Sequence, residues 1–159
     1  MLDIKITNAK TRKTGKELVE IGIENGKITA IAPSVEGEAK QVIDAKGKLV
    51  TESFVNGHLH LCKVYTLEMA GQDALKEYND NNMGGAMTSI ERAADFKACY
   101  DEKWIIENVR KACDLAVKYG NTHIRAFADV DSKARLEGVK GVIRGREEYK
   151  DRLDIQVVA

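Results

Sequence analysis

Histidine is scarce in this chain, with three among 159 residues. Cysteine is equally scarce. Cys62, Cys99 and Cys113 are odd in number and have no CxxC spacing, which argues against a disulfide framework and fits reduced thiols. An excess of one charge is also missing. Lys+Arg and Asp+Glu are both 25, for a formal net charge of zero, so no overall field attracts nucleic acid or an anionic membrane surface. No stretch of about 18 apolar residues is present to span a bilayer. The N-terminal MLDIKITNAK carries charges where a signal peptide needs an apolar centre. These absences lead us to expect a cytoplasmic protein with a small or neutral ligand and no nucleic-acid or membrane partner.

What is present is a globular composition, 43% hydrophobic and 31% charged, in two textures. The first fifty residues alternate apolar and polar side chains in LDIKITNAK, KELVEIGIENGKITAIAP and KQVIDAKGKLV, which predicts a small antiparallel β unit. Within it Asn25-Gly26 fits a tight hairpin, because both residues tolerate the positive φ of a two-residue turn. From residue 53 the expectation changes to strands alternating with helices. FVNGHLHL reads as a strand, followed by a long polar loop containing Asn79 to Asn82 and Gly84-Gly85. SIERAADFKACY has helical spacing. In DEKWIIENVRKACDLAVKYG the spacing is clearer: Ile105, Val109, Ala112, Cys113 and Ala116 share a face, Asp101 can cap the start and Gly120 can close the end. THIRAFADV and LDIQVVA read as strands. Residues 132–149 form a helix candidate weakened by Gly138, Gly141 and Gly145.

The order β, α, β, α, β implies parallel strands with right-handed crossovers. The expected fold class is α/β: a small β unit over 1–52, sandwich-like, and over 53–159 the first βα units of a TIM-like (β/α)₈ barrel truncated at its third strand. Such a barrel needs roughly 250 residues, so the gene is expected to continue past Ala159. The alternative is a three-stranded α/β domain that covers its edge by dimerising.

Side chains at i and i+2 of a strand leave the same face, so His58 and His60 can share a metal. Equally, one imidazole can pack inside while the other bonds in the loop. Their place, where the first strand of the series meets its long loop, suits ligands at the carboxyl end of a parallel sheet. His123 starts its strand, roughly 20 Å of extended chain from Asp129. It is expected at the opposite end as a packing histidine and is excluded as a ligand.

A β-rich segment ending in IDAKGKLV and then FVNGHLH resembles the opening of the amidohydrolase superfamily. IERAADFKACYDEKWIIENVRKACDLAVKYGNTHIRAFADVDS and LDIQVVA extend the resemblance to its cytosine deaminase / N-isopropylammelide isopropylaminohydrolase branch. That resemblance implies a metal-dependent hydrolase of C–N bonds, deaminating or dealkylaminating a cytosine-like or triazine-like amino-heterocycle, with one divalent metal ion, zinc or iron. It implies His58 and His60 as metal ligands, Lys63 as substrate-binding and Asp129 as a supporting residue. The remaining ligands and the acid/base groups are expected beyond Ala159, and a homo-oligomer is the expected assembly. Four positions depart from the branch: Glu52-Ser53 replaces Pro-Gly, Cys62 replaces an aspartate, and Phe127 replaces a histidine. Cys62 is either a pocket-lining thiol or a small buried hydrophobe. Two rival readings remain, a dihydroorotase-like cyclic amide hydrolase and a metal-free binding or scaffold domain.

Overall fold

The structure, a computed structural model, describes residues 1–66 and 96–159. The chain divides into two units, Met1–Glu52 and Ser53–Ala159. The first holds β1 (Leu2–Ala9), β2 (Val19–Glu24), β3 (Lys27–Ala32) and β4 (Ala39–Asp44) in one sheet of order β3-β2-β1-β4. β2 and β3 form the expected hairpin, with Asn25 and Gly26 at φ 52° and 71°. The antiparallel expectation is corrected at the sheet edge, where β4 runs parallel to β1. Alternating polarity marks which face a residue takes but carries no strand direction. The residues expected to be sandwich-like thus supply a single mixed sheet. Its buried centre is small: Ala9, Val19 and Ile21, with Ile6, Ile23, Ala45 and Val50 packed against them.

The second unit is β5 (Phe54–Leu59), α1 (Glu102–Lys118), β6 (Asn121–Phe127), α2 (Glu137–Tyr149) and β7 (Asp154–Val158). Its strands are parallel, in the order β5-β6-β7. The polar loop and helical segment expected between β5 and α1 lie mostly outside the described residues.

α1 begins and ends where its residues dictate. The Asp101 carboxylate accepts from the backbone N–H of Lys103 and Trp104, and Gly120 takes φ 79°, a backbone that glycine adopts without strain. Ile105, Val109 and Cys113 are fully buried against Ile124 and Ala126 of β6, Ile155 of β7 and Val142 of α2.

α2 forms despite its glycines because those glycines meet its neighbours. A Cβ on Gly141 would stand 2.5 Å from Ile105 Cγ2, and one on Gly145 would stand 2.3 Å from Val109 Cγ1. Close approach to α1 therefore outweighs the intrinsic helix cost of glycine. In the first turn of α2, Gly138 abuts Cys62, whose Cβ an added carbon would meet at 3.1 Å. α2 thus packs directly beneath the turn that follows β5.

Candidate active site

β5 and β6 run side by side and end together. At and just past their carboxyl ends lie His58, within the last two residues of β5, then His60 and a 3₁₀ turn, Leu61–Lys63, and from the second strand its last residue Phe127 and, two further on, Asp129. Leu59 packs into the helix-covered core, so its alternating neighbours His58 and His60 are directed to the other face. Their ring centroids are 5.2 Å apart. Phe127 stacks on His58 at 4.4 Å and lies 5.6 Å from His60. The apolar ring thus occupies the space beside both imidazoles where the sequence resemblance anticipates a histidine.

Asp129 is the hub of the arrangement. Its side chain is 11% exposed, with Oδ1 3.4 Å from His60 Nδ1 and Oδ2 2.9 Å from Lys63 Nζ and 2.7 Å from Lys97 Nζ. His60 Nδ1 is itself buried and has no hydrogen bond, so the carboxylate is the acceptor it faces. Burial pushes the Asp129 carboxyl up, but the adjacent ammonium groups of Lys97 and Lys63 outweigh it and hold the group below its ordinary value. Its backbone N–H donates to Cys62 Sγ at 3.3 Å.

Cys62 is 1% exposed, and burial raises its thiol pKa. Of the two roles open to it, buried small residue and pocket thiol, the structure gives the first, with the added task of accepting from the backbone of Asp129.

Lys97 and Asp131 are the residues that sequence reasoning missed. Lys97 bridges Asp129 and Asp131, lying 2.8 Å from Asp131 Oδ2. Asp131 is anchored from its other oxygen by the backbone N–H of Lys133 and Ala134. Lys97 and these N–H groups bring its carboxyl down to about 2. The sequence signal for Asp131 was its position two residues after Asp129. Lys97 had none, because it stands 32 positions before Asp129 and only folding joins them.

The expected location of His123 holds, but its packing does not. It sits at the start of β6, away from Asp129, yet its side chain is 55% exposed. Nδ1 lies 2.8 Å from Thr122 Oγ1. Alternation explains the correction: Ile124 and Ala126 take the helix-covered face, so His123 and Arg125 take the open one.

The two imidazoles fit a divalent ion as a partial ligand set. A metal–nitrogen distance of about 2.0–2.1 Å lets rings separated by 5.2 Å reach one ion. The carboxylate facing His60 Nδ1 is the usual outer partner of a ligating imidazole. Among the described residues, no group of three or more His, Cys, Asp or Glu is arranged to hold a metal.

The second unit is thus a parallel α/β sheet with two histidines, a phenylalanine and a buried aspartate grouped at its strand ends. The Amidohydrolase family model matches residues 41–159, and the chain belongs to that family. It is 33% identical over 157 residues to N-isopropylammelide isopropyl amidohydrolase of Pseudomonas sp. (strain ADP), covering 99% of this chain and 38% of that protein. It thus spans under two fifths of that relative's length. Among solved structures, 5-methylcytosine deaminase from Klebsiella pneumoniae liganded with 5-fluorocytosine superposes with a TM-score of 0.74 at 23% identity, covering 98% of this chain and 36% of that one. N-isopropylammelide isopropylaminohydrolase from Burkholderia multivorans ATCC 17616 gives 0.74 at 24% identity, covering 100% and 37%. At these identities the structural likeness speaks for the fold alone. A weaker match, 29% over 113 residues, is to a dihydroorotase of Elusimicrobium minutum.

Proposed function

We propose that the whole protein is a metal-dependent hydrolase that removes ammonia or an alkylamine from a cytosine-like or triazine-like amino-heterocycle. Residues 53–159 are then the opening βα units of a (β/α)₈ barrel, and residues 1–52 a β domain ahead of it. The observation that carries the reading is the placement of His58 and His60 on one face at the strand ends, with Asp129 facing His60 Nδ1 at 3.4 Å. The name of the Pseudomonas relative, matched along nearly the whole chain, supports the substrate class.

In this reading His58 and His60 would hold the ion, which when bound would supply a water more easily deprotonated near neutral pH. Asp129, whose Oδ1 faces His60 Nδ1 at 3.4 Å, would keep the ring oriented as the outer partner of a ligating imidazole. Lys63 reaches a ring carbonyl oxygen of the substrate and stabilises negative charge that grows there during attack. Phe127 keeps one wall of the site apolar, which excludes water and favours a flat ring. The ring carbon gains the oxygen and loses the amine, whose proton comes from an acid outside the described residues.

The test is metal analysis with kinetics on the full-length protein. His58→Ala and His60→Ala are each expected to lower metal content and abolish turnover of an amino-heterocycle panel containing cytosine and N-isopropylammelide. Turnover of cyclic amides instead would favour the dihydroorotase-like alternative. Wild-type protein that takes up neither zinc nor iron would refute the metal reading.

A further inference from the structure

Two ammonium groups share one buried oxygen, Asp129 Oδ2, and they are not held alike. Lys97 is 20% exposed and gripped from both sides, by Asp129 at 2.7 Å and by Asp131 at 2.8 Å. Asp131 is fixed in turn by the backbone N–H groups of Lys133 and Ala134 at 2.9 and 2.8 Å. Lys63 is 39% exposed, and its carboxylate partner among the described residues is Asp129 alone, at 2.9 Å. Lys63 lies at the end of the 3₁₀ turn that follows His60, and the two side chains share Asp129, His60 facing Oδ1 and Lys63 facing Oδ2. Asp129 keeps only 11% of its side chain in solvent, and a carboxylate so placed is destabilised when it loses its last cation. One cation suffices to prevent this.

We infer that Lys97 is the resident counter-ion of Asp129, so that Lys63 can leave the carboxylate and bind a substrate oxygen. Lys97 is then a positioning residue that acts through Asp129 and Lys63 without touching the ligand. Asp131 holds Lys97 in place while Lys63 moves. In the resting protein Lys63 is parked on Asp129 next to the site. When a ligand arrives the ammonium exchanges one oxygen for another, and Asp129 stays paired and keeps facing His60. The inference rests on the proposed role of Lys63, and it adds a residue and a step to that role.

The test is a two-by-two comparison of Lys63→Met and Lys97→Met in the zinc-loaded full-length protein. Binding of uracil and of cyanuric acid, two ring-carbonyl probes, is measured by calorimetry so that no turnover is needed. Lys63→Met is expected to weaken binding about tenfold, in keeping with the loss of a charged hydrogen-bond donor. Lys97→Met should cost a similar factor, because Lys63 must now strip Asp129 of its last cation in order to bind. In the Lys63→Met background, however, Lys97→Met should change affinity by less than about twofold, since there is no Lys63 left to release and Asp129 lacks its cation in the free and bound states alike. Lys97→Arg should restore wild-type binding in the protein that retains Lys63, because arginine can span the same two carboxylates.

Equal loss from Lys97→Met in both backgrounds would overturn the inference, since Lys97 would then act on the fold or the general field. Wild-type affinity in Lys97→Met would overturn it as well. If the wild-type protein binds neither probe, or Lys63→Met binds both normally, the proposed role of Lys63 falls first. That result is visible before any change at position 97.

Discussion

Replacing Gly141 by alanine should destabilise the protein even though alanine is the better helix former. In a helix interior the exchange is intrinsically favourable by about 0.8–1.0 kcal/mol. The packing opposes it. The new Cβ would lie 2.5 Å from Ile105 Cγ2 and 3.0 Å from Ile105 Cβ, whereas carbon atoms pack best at about 3.5–4.0 Å. A rotamer change of Ile105 can move Cγ2 but cannot move Cβ, which is fixed by the α1 backbone. Relief therefore requires α1 and α2 to separate by some tenths of an ångström, in a region where Ile105, Val109 and Val142 are fully buried. Overpacking of this kind costs about 1–3 kcal/mol. Set against the helical gain, a net loss of up to about 2 kcal/mol is expected. Gly145→Ala should be milder. Its close contact is to Val109 Cγ1 at 2.3 Å, while the Val109 Cβ is at 3.6 Å, so rotation of the valine can relieve much of it at about 0.5–1.5 kcal/mol. Urea unfolding followed by circular dichroism at a helical wavelength reads both values. A Gly141→Ala variant as stable as the wild type, or more so, would refute the tight crossing of α1 over α2.

Thiol labelling of the folded protein should modify Cys99, which is exposed, and spare Cys62 and Cys113, which are buried; burial also pushes the Cys113 thiol up to about 12. Mass spectrometry after brief iodoacetamide treatment counts the sites, and early labelling at position 113 would contradict its placement. Asp131, held low at about 2 by Lys97 and two backbone N–H groups, binds protons less readily folded than unfolded. Its contribution to stability is therefore complete above the unfolded value near 3.8 and is lost as pH falls toward about 2. Asp131→Asn should flatten that part of the acid-unfolding curve, and an unchanged curve would count against the Lys97–Asp131 pair. His123→Ala should leave metal content and folding unchanged, because the ring is half exposed and lies at the far end of β6 from Asp129. Metal analysis together with circular dichroism checks both, and loss of metal in a folded variant would overturn this assignment.

Much of the fold is legible in the sequence, where local chemistry decides it. Asn25-Gly26 announces a hairpin because few other residue pairs accept its two positive φ angles. Asp101 and Gly120 bracket α1 because a carboxylate satisfies free N–H groups and glycine takes the left-handed closing residue. Legibility ends where the cause is non-local. The parallel pairing of β4 with β1 depends on how the chain returns to the sheet, and no residue within β4 encodes that return. The three glycines of α2 look unfavourable when each is weighed alone. Against Ile105, Val109 and Cys62 they are the residues that let two helices and a turn close over one another.

The same division runs through the candidate site. His58 and His60 declare themselves by a spacing of two, and Lys63 follows within one turn of chain. Lys97 carries no local mark, yet it makes the shortest contact to Asp129. A lysine in KACY reads in sequence as an ordinary surface residue, because most lysines are solvated. Its significance arises from the second carboxylate, which turns a mobile charge into a fixed one. Phe127 shows the converse: its identity is plain from the sequence, while its consequence depends on geometry. Lying within 4.4 Å of His58 and 5.6 Å of His60, it adds neither a ligand nor a proton carrier to the pair. Any further ligand or proton carrier for these imidazoles must therefore come from other residues. Among the described residues Lys63 and Lys97 both reach Asp129 Oδ2, and in the role proposed above it is Lys63 that meets a ligand while Lys97 keeps Asp129 occupied.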